Sequence, residues 1–357
     1  KKTKYEAIFD TINSVIGMVK VGIQIADIKK YSYENIFHDL KQKAILFKKL
    51  TSMMGSIQRR KVAFLASFEG LVFDYIIGAT FWDFIKYDKT MRVLSGKQYE
   101  FIELYKKIGE IDMVIAIASF RTSLPLFCTP IFCEEHVLQM KEIYHPLIDE
   151  PVYNTVTLER GCIITGSNAS GKSTFIKAIS INVILAQSIH TCLAKQMILP
   201  YARIITSMAV RDDIMAGESY FIKEIKYLNR IIQNLSDERF VICSIDEILR
   251  GTNTEERIAA SAAILKFLRN KNCITIVASH DIELTKILNE TYDNFHFREQ
   301  IQENDIVFEY KIKVGAATTK NAIKLLEYVK FPKEIIEDAR NSLLERNNTV
   351  QREVCLK

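Results

Sequence analysis

Proline is missing from the first 124 residues of this 357-residue chain, and Pro125 is the first of only six. Nothing in that stretch breaks a helix locally. Long apolar runs are missing as well. The most apolar window, Val62 to Trp82, is interrupted by Glu69 and Asp74. Two acids near the middle of a span are costly in a bilayer, so a buried helix is expected there and no membrane crossing. The seven cysteines, Cys128, Cys133, Cys162, Cys192, Cys243, Cys273 and Cys355, are scattered, and no pair has zinc-ligand spacing. Cys162, Cys243 and Cys273 fall in expected buried strands, as small apolar side chains do in a reducing, cytoplasmic setting. Neither an internal repeat nor a low-complexity stretch is visible, and the start carries no secretory signal. The chain opens Lys1-Lys2 rather than with Met, and so reads as a piece of a longer protein.

The composition that is present is globular: 48% of the residues are hydrophobic. At about 150 residues per domain, the length suggests two domains or slightly more. The net charge of +5 is modest but unevenly placed, because residues 1–50 hold ten lysines against five acids. Arg59-Arg60-Lys61 follow directly. A basic helical segment can meet nucleic-acid phosphates, and it can equally be the solvated face of an amphipathic helix.

Periodicity divides the chain. In the first 120 residues, Tyr5, Ile8, Ile12, Val15, Val19 and Ile23 recur at helical spacing. So do Phe37, Leu40, Ala44 and Phe47, and again Phe101, Leu104, Ile108, Ile111 and Ile115. After Pro125 and Pro130 short β-rich runs take over: Cys162–Thr165, Arg203–Ser207, Phe240–Ile245, Cys273–Ala278, Phe295–Phe297 and Ile306–Val314. Helical stretches separate most of them, which argues an α/β domain with a largely parallel sheet. Two short helices around Pro332 close the chain.

One segment carries chemistry on its face. Gly166-Ser167-Asn168-Ala169-Ser170-Gly171-Lys172-Ser173 matches G-x-x-x-x-G-K-[ST], between an apolar strand and the amphipathic helix Thr174–Gln187. Such a loop wraps backbone N–H groups around phosphates at a helix N-terminus. Lys172 is expected to reach the β- and γ-phosphates and the Ser173 hydroxyl to ligate Mg²⁺. A second strand ends in Asp246 and Glu247. Asp246 can hold the metal, directly or through water, and Glu247 can orient and deprotonate an attacking water. His280, just beyond a third strand, is placed to sense the γ-phosphate or position water, or is simply structural. Gln187 is a weaker candidate for linking the metal shell to a neighbouring domain.

These elements, taken in order, resemble the MutS family of ABC-type ATPases. The resemblance runs from Tyr144-His145-Pro146-Leu147-Ile148 through Gly166–Thr174, Leu185-Ala186-Gln187, Asp212-Asp213 and Gly217-Glu218-Ser219-Tyr220-Phe221. Asp246-Glu247-Ile248, Arg250-Gly251-Thr252-Asn253-Thr254, Ser279-His280 and the closing Leu325–Arg340 complete it. It implies an ABC-type α/β P-loop NTPase with a mostly parallel sheet flanked by helices, preceded by an all-α domain. The corresponding boundaries are 1–135 for a helical core and lever domain, 136–314 for the ATPase domain, and 315–357 for helices that complete it and contact a dimer partner. ATP and Mg²⁺ are the implied cofactors, held by Gly166 through Thr174 and by Asp246. Ser219 is expected to touch the γ-phosphate bound by the other subunit of a homodimer, with DNA as the further partner. Three departures stand out: Ala169 where the family usually has Met, Ser188 to Leu193 without the usual Gly and Pro, and Lys320-Asn321 in place of an aromatic–glycine pair. A nucleotide-gated clamp on RNA, the ribosome or a protein is the alternative reading.

Overall fold

The computed structural model describes residues 2–28, 35–48, 98–167, 169–208, 220–235, 238–302, 305–317, 326–327 and 329–342, with short pieces between 79 and 97. The Val62 to Trp82 window, Arg59-Arg60-Lys61, Asp212-Asp213, Lys320-Asn321 and Cys355 lie wholly or mostly outside the described residues, as do the side chains of Tyr5, Ile8 and Ile12. The chain divides into two compact units, residues 1–120 and 121–357. No described helix is long and apolar enough to cross a membrane.

The described elements of the first unit are helices: α1 (Lys2–Ala26), α2 (Asn35–Ile45) and α3 (Gln98–Ser123), whose end runs past the division. Its core is one stripe from each: Ile16, Val19 and Ala26; Leu40, Ala44 and Phe47; Leu104 and Ile111. Steps of three, four and seven put each helical set on one face, with Phe47 just beyond the end of α2. Phe47 meets Phe101 edge to face at 5.8 Å. Ile115, expected on the α3 stripe, is exposed, and Ile16 rather than Val15 fills the α1 stripe. The lysine excess is partly answered locally. Lys41 Nζ lies 3.3 Å from Asp27 and Lys43 Nζ lies 3.9 Å from Glu103.

The second unit holds two sheets. A six-stranded sheet has the order β10-β9-β4-β8-β7-β6, built from β4 (Cys162–Thr165), β6 (Arg203–Ser207), β7 (Val241–Asp246), β8 (Cys273–Ala278), β9 (Asp293–Gln302) and β10 (Asp305–Val314). All its pairs are parallel except β10 with β9. Parallel neighbours need crossovers, supplied by α4 (Lys172–Ile189), α5 (Tyr220–Gln233), α6 (Thr254–Arg269) and the short α7 (Ile282–Ile287). The strand period of two sorts adjacent residues into two layers. Ile164 packs with Ile176 and Ile179 of α4, while Ile163 packs with Val277 and with Leu265 of α6. A last helical stretch covers 333–342.

The smaller sheet is absent from the sequence expectations. It has the order β1-β5-β2-β3, from β1 (Ile131–Phe132), β2 (Leu138–Ile143), β3 (Asn154–Leu158) and β5 (Gln196–Leu199). β3 alternates buried and exposed residues, as β2 does from Leu138 to Lys141 before the register shifts ahead of Ile143; such short alternations become strands only by pairing with each other and with β5. β1 pairs with β5, which ties residues 131–132 to the second unit. The two compact units divide at 120/121. The six described cysteines are free thiols.

Candidate active site

The loop after β4 owes its course to backbone freedom. Gly166 has φ 148° and Gly171 φ 105°. A Cβ at Gly166 would lie 2.9 Å from the Phe297 carbonyl oxygen, so a side chain has no room there. Ala169 also takes a left-handed φ of 64°. The Ser170 hydroxyl is buried without a hydrogen-bond partner among the described residues, a vacancy that a polar ligand suits. Ser167 Oγ donates to Glu299 Oε2 at 2.9 Å, joining the loop to β9.

Lys172 opens α4 and is buried. Its Nζ donates to the carbonyls of Gly166 at 2.9 Å and Ser167 at 2.7 Å, which leaves its third N–H for an anion. Burial lowers its pKa from 10.5 to about 8, against the pull of the Glu247, Asp246 and Glu299 carboxylates.

Ser173 Oγ donates to Asp246 Oδ1 at 2.9 Å. Strand β7 thus delivers its terminal acid to the first turn of α4. A hydroxyl beside a carboxylate is a hard-oxygen set that fits Mg²⁺, an ion that takes few protein ligands and completes its shell with water and phosphate oxygens. No cluster of three His, Cys, Asp or Glu occurs among the described residues. Glu247 follows at φ 61°, and its N–H donates to the Ala278 carbonyl at 3.1 Å. Its Oε1 lies 2.9 Å from His280 Nε2 and its Oε2 lies 3.0 Å from Arg250 Nε. The His280 hydrogen bond holds the Glu247 carboxyl below its ordinary range, helped by the charges of His280, Arg250 and Lys172 against its own burial. An ionised carboxylate only accepts, so His280 is the donor.

A cavity of about 500 Å³ lies against this loop, large enough for a nucleotide-sized ligand. Lys172, Ser173, Thr174, Glu247, His145, Val152 and Tyr310 are among the residues that line it. Asn154 fixes the Tyr310 segment: its Nδ2 donates to the Tyr310 carbonyl at 3.0 Å and its Oδ1 accepts from the Ile312 N–H at 2.8 Å. These bonds span the register shift of β10 between Phe308 and Ile312. The β-bulge sets Tyr310 beside Gly171, where a Cβ would meet the ring at 3.1 Å.

The sequence profile of MutS domain V matches residues 162–346, more than half of the 357. The chain belongs to the MutS family. MutS domain V is a P-loop NTPase-type domain, and the matched span contains the loop, Asp246, Glu247 and His280. The chain is 32% identical over 269 residues to the DNA mismatch repair protein MutS of Pseudothermotoga lettingae, covering 72% of this chain and 33% of that protein. It is 33% identical over 268 residues to human MutS protein homolog 4, covering 69% of this chain and 28% of the relative. The chain thus spans about a third of the length of these relatives.

Around this MutS-type loop, the geometry gathers Gly166, Ser167, Ala169, Ser170, Gly171, Lys172, Ser173, Thr174, Asp246, Glu247 and His280. Asn168 and Ser219 lie outside the described residues. Gln187 is engaged elsewhere, accepting from the Ala202 N–H at 2.9 Å. Several contributors went unnoticed in the sequence. Glu224 of α5 is buried and accepts from the Arg250 and Gly251 N–H groups at 3.0 and 3.4 Å. Gly251 has no room for a Cβ, which would meet Phe221 Cβ at 2.9 Å. Glu299 and Tyr310 join from distant strands without a local trace, whereas Arg250 and Gly251 stood in the sequence as part of the family resemblance.

Proposed function

We propose that this chain binds ATP with Mg²⁺ and hydrolyses it. The observation that carries this reading is that Lys172, Ser173 and Glu247 line one cavity, with Asp246 bonded to Ser173 and His280 bonded to Glu247 behind them. Gly166 through Thr174 wrap the phosphates, with Lys172 on the β- and γ-oxygens. Tyr310, beside Gly171 in the cavity lining, offers an aromatic ring to the ligand. Ser173 and Asp246 hold Mg²⁺, which supplies neutralisation of phosphate charge when bound. Glu247 accepts a proton from the attacking water, and the Arg250 and His280 donors fix its rotamer.

The same reading includes an ABC-type arrangement with an all-α domain ahead of it. It also includes a cytoplasmic homodimer in which Ser219 of one subunit reaches the γ-phosphate of the other, and coupling of ATP state to DNA. Family membership and the lysine-rich first 50 residues support the DNA element. The ion pairs of Lys41 and Lys43 reduce the charge available for it, so weak duplex binding is expected, falling steeply with salt. The test is Mg²⁺-dependent ATP turnover by the chain, alone and with duplex, mismatched and branched DNA. Turnover undiminished in Lys172→Ala overturns the ATPase reading. DNA affinity unchanged between low and physiological salt overturns the DNA element.

A further inference from the structure

Arg257 lies in the first turn of α6 and makes a two-pronged pair with Asp281. Its Nε donates to Asp281 Oδ2 at 2.8 Å and its Nη2 to Oδ1 at 2.7 Å. A third nitrogen, Nη1, donates to the Thr252 carbonyl at 3.4 Å. The pair is largely shielded from water, with side-chain exposures of 21% and 10%. Asp281 stands at the N-cap of α7, yet its side chain makes no capping bond there; the guanidinium takes both oxygens instead. Planar, two-pronged pairing of this kind fixes orientation as well as distance.

The placement of these contacts matters more than their strength. Asp281 is the neighbour of His280, and Thr252 is two residues beyond Arg250. His280 and Arg250 are the two donors that grip the Glu247 carboxylate, at 2.9 and 3.0 Å. One guanidinium therefore fastens the segments that carry both arms of that grip. A second cavity of about 180 Å³ is lined by Glu247, Arg250, Arg257, His280 and Asp281, so Glu247 separates this assembly from the larger cavity at the phosphate loop. Shielded ion pairs add little net stability over apolar substitutes, and stability alone is a poor account of this one.

We propose that Arg257 is a positioning residue for hydrolysis: through Asp281 and the Thr252 carbonyl it holds the His280 turn and the Arg250 loop at the spacing that orients Glu247. The proposal rests on the ATPase reading for its kinetic consequence, but its structural half stands apart. Arg257 touches no substrate, and its removal leaves the phosphate loop intact. It acts on turnover and spares binding.

The test uses Arg257→Ala, Arg257→Lys, Asp281→Ala and the double variant in the full chain. Single-turnover hydrolysis, ATP binding and the His280 ring resonances in a proton–nitrogen NMR spectrum are measured for each, the resonances assigned with His280→Gln. Misplacing a catalytic group by about 1 Å costs on the order of 100-fold. Arg257→Ala is therefore expected to slow hydrolysis by roughly 10- to 100-fold, with ATP affinity within about two-fold of the parent and a shifted His280 signal. Arg257→Lys restores part of the rate, since it keeps the charge and loses the fork. The double variant is no slower than the slower single one, because both act through one pair. Arg257→Gln carries the test should Arg257→Ala not fold. Wild-type turnover with an unmoved His280 signal in the Arg257 variants overturns the proposal, as do rate losses that add in the double variant. Should the parent chain hydrolyse no more ATP than Lys172→Ala, the ATPase reading fails, and the His280 signal still decides whether Arg257 positions that turn.

Discussion

Replacing Lys172 by Met separates the binding role of this residue from its effect on folding, because the two respond differently to pH. The ammonium is buried, and its pKa falls from 10.5 to about 8. That difference is about 2.5 units; at about 1.4 kcal/mol per unit it sets a ceiling of roughly 3 kcal/mol on the penalty for keeping Lys172 charged in the folded chain. Met keeps the length and removes the charge, but it abandons the hydrogen bonds to the Gly166 and Ser167 carbonyls. Losing two bonds from a charged donor, at about 1.5–3 kcal/mol each, offsets at least as much. Near pH 7 and without nucleotide the variant is therefore expected to be no more stable than the parent.

The pH dependence fixes the sign. Below pH 8 the group is protonated folded and unfolded, and the penalty is complete. Between pH 8 and 10.5 the unfolded chain binds more protons than the folded one, so wild-type stability rises with pH through this window. Above it, both states are neutral and the penalty is gone. The stability of the parent relative to Lys172→Met should therefore rise by roughly 3 kcal/mol between pH 7 and pH 10.5. Urea unfolding of both proteins across pH 7–11, with ATP binding measured in parallel, tests this. A parent that gains no stability relative to the Met variant as pH rises through this window refutes the reasoning.

Other outcomes follow from the same geometry. Glu247→Gln should retain ATP and stop hydrolysis, because an amide cannot take the proton of water; wild-type turnover in this variant would remove Glu247 from the mechanism. Gly161→Ala places a Cβ 2.4 Å from Tyr292 Cε1 and 3.0 Å from the Thr275 carbonyl oxygen. It should destabilise by about 1–3 kcal/mol in thermal or urea unfolding, as overpacking does, and an unchanged midpoint would show that Tyr292 yields freely. Mixing Lys172→Ala with Ser219→Arg tests the shared site across a dimer. Random pairing makes about half the dimers mixed, each with one intact site, so roughly a quarter of wild-type turnover should return. No returning turnover and no ATP retained by mixed dimers, with subunit exchange confirmed, would refute the contribution of Ser219 in trans.

Much of this protein is local and was legible in the order of its residues. A phosphate loop is a backbone device, so its glycines, its lysine and the strand and helix on either side mark it without knowledge of the rest. Buried parallel strands such as Cys162–Thr165 and Cys273–Ala278 announce themselves as short β-rich runs, because both faces are covered. The stripes Leu40-Ala44-Phe47 and Phe101-Leu104-Ile108 follow from helical geometry alone. The smaller sheet left no comparable sign: β2 and β3 are short, half polar, and strands only because each supplies the other with partners. The grip on Glu247 is likewise a matter of tertiary structure. Arg257, Asp281 and Glu224 are ordinary charged residues in sequence, where any of them could sit in solvent, and nothing in the order of residues pairs Arg250 or His280 with Glu247. Their roles come from distances that the sheet and its crossovers impose between segments dozens of residues apart, where pairing a charge is the alternative to leaving it shielded and alone. Sequence order determines which groups a chain can offer; which of them meet is decided when burial forces every polar atom to find a partner.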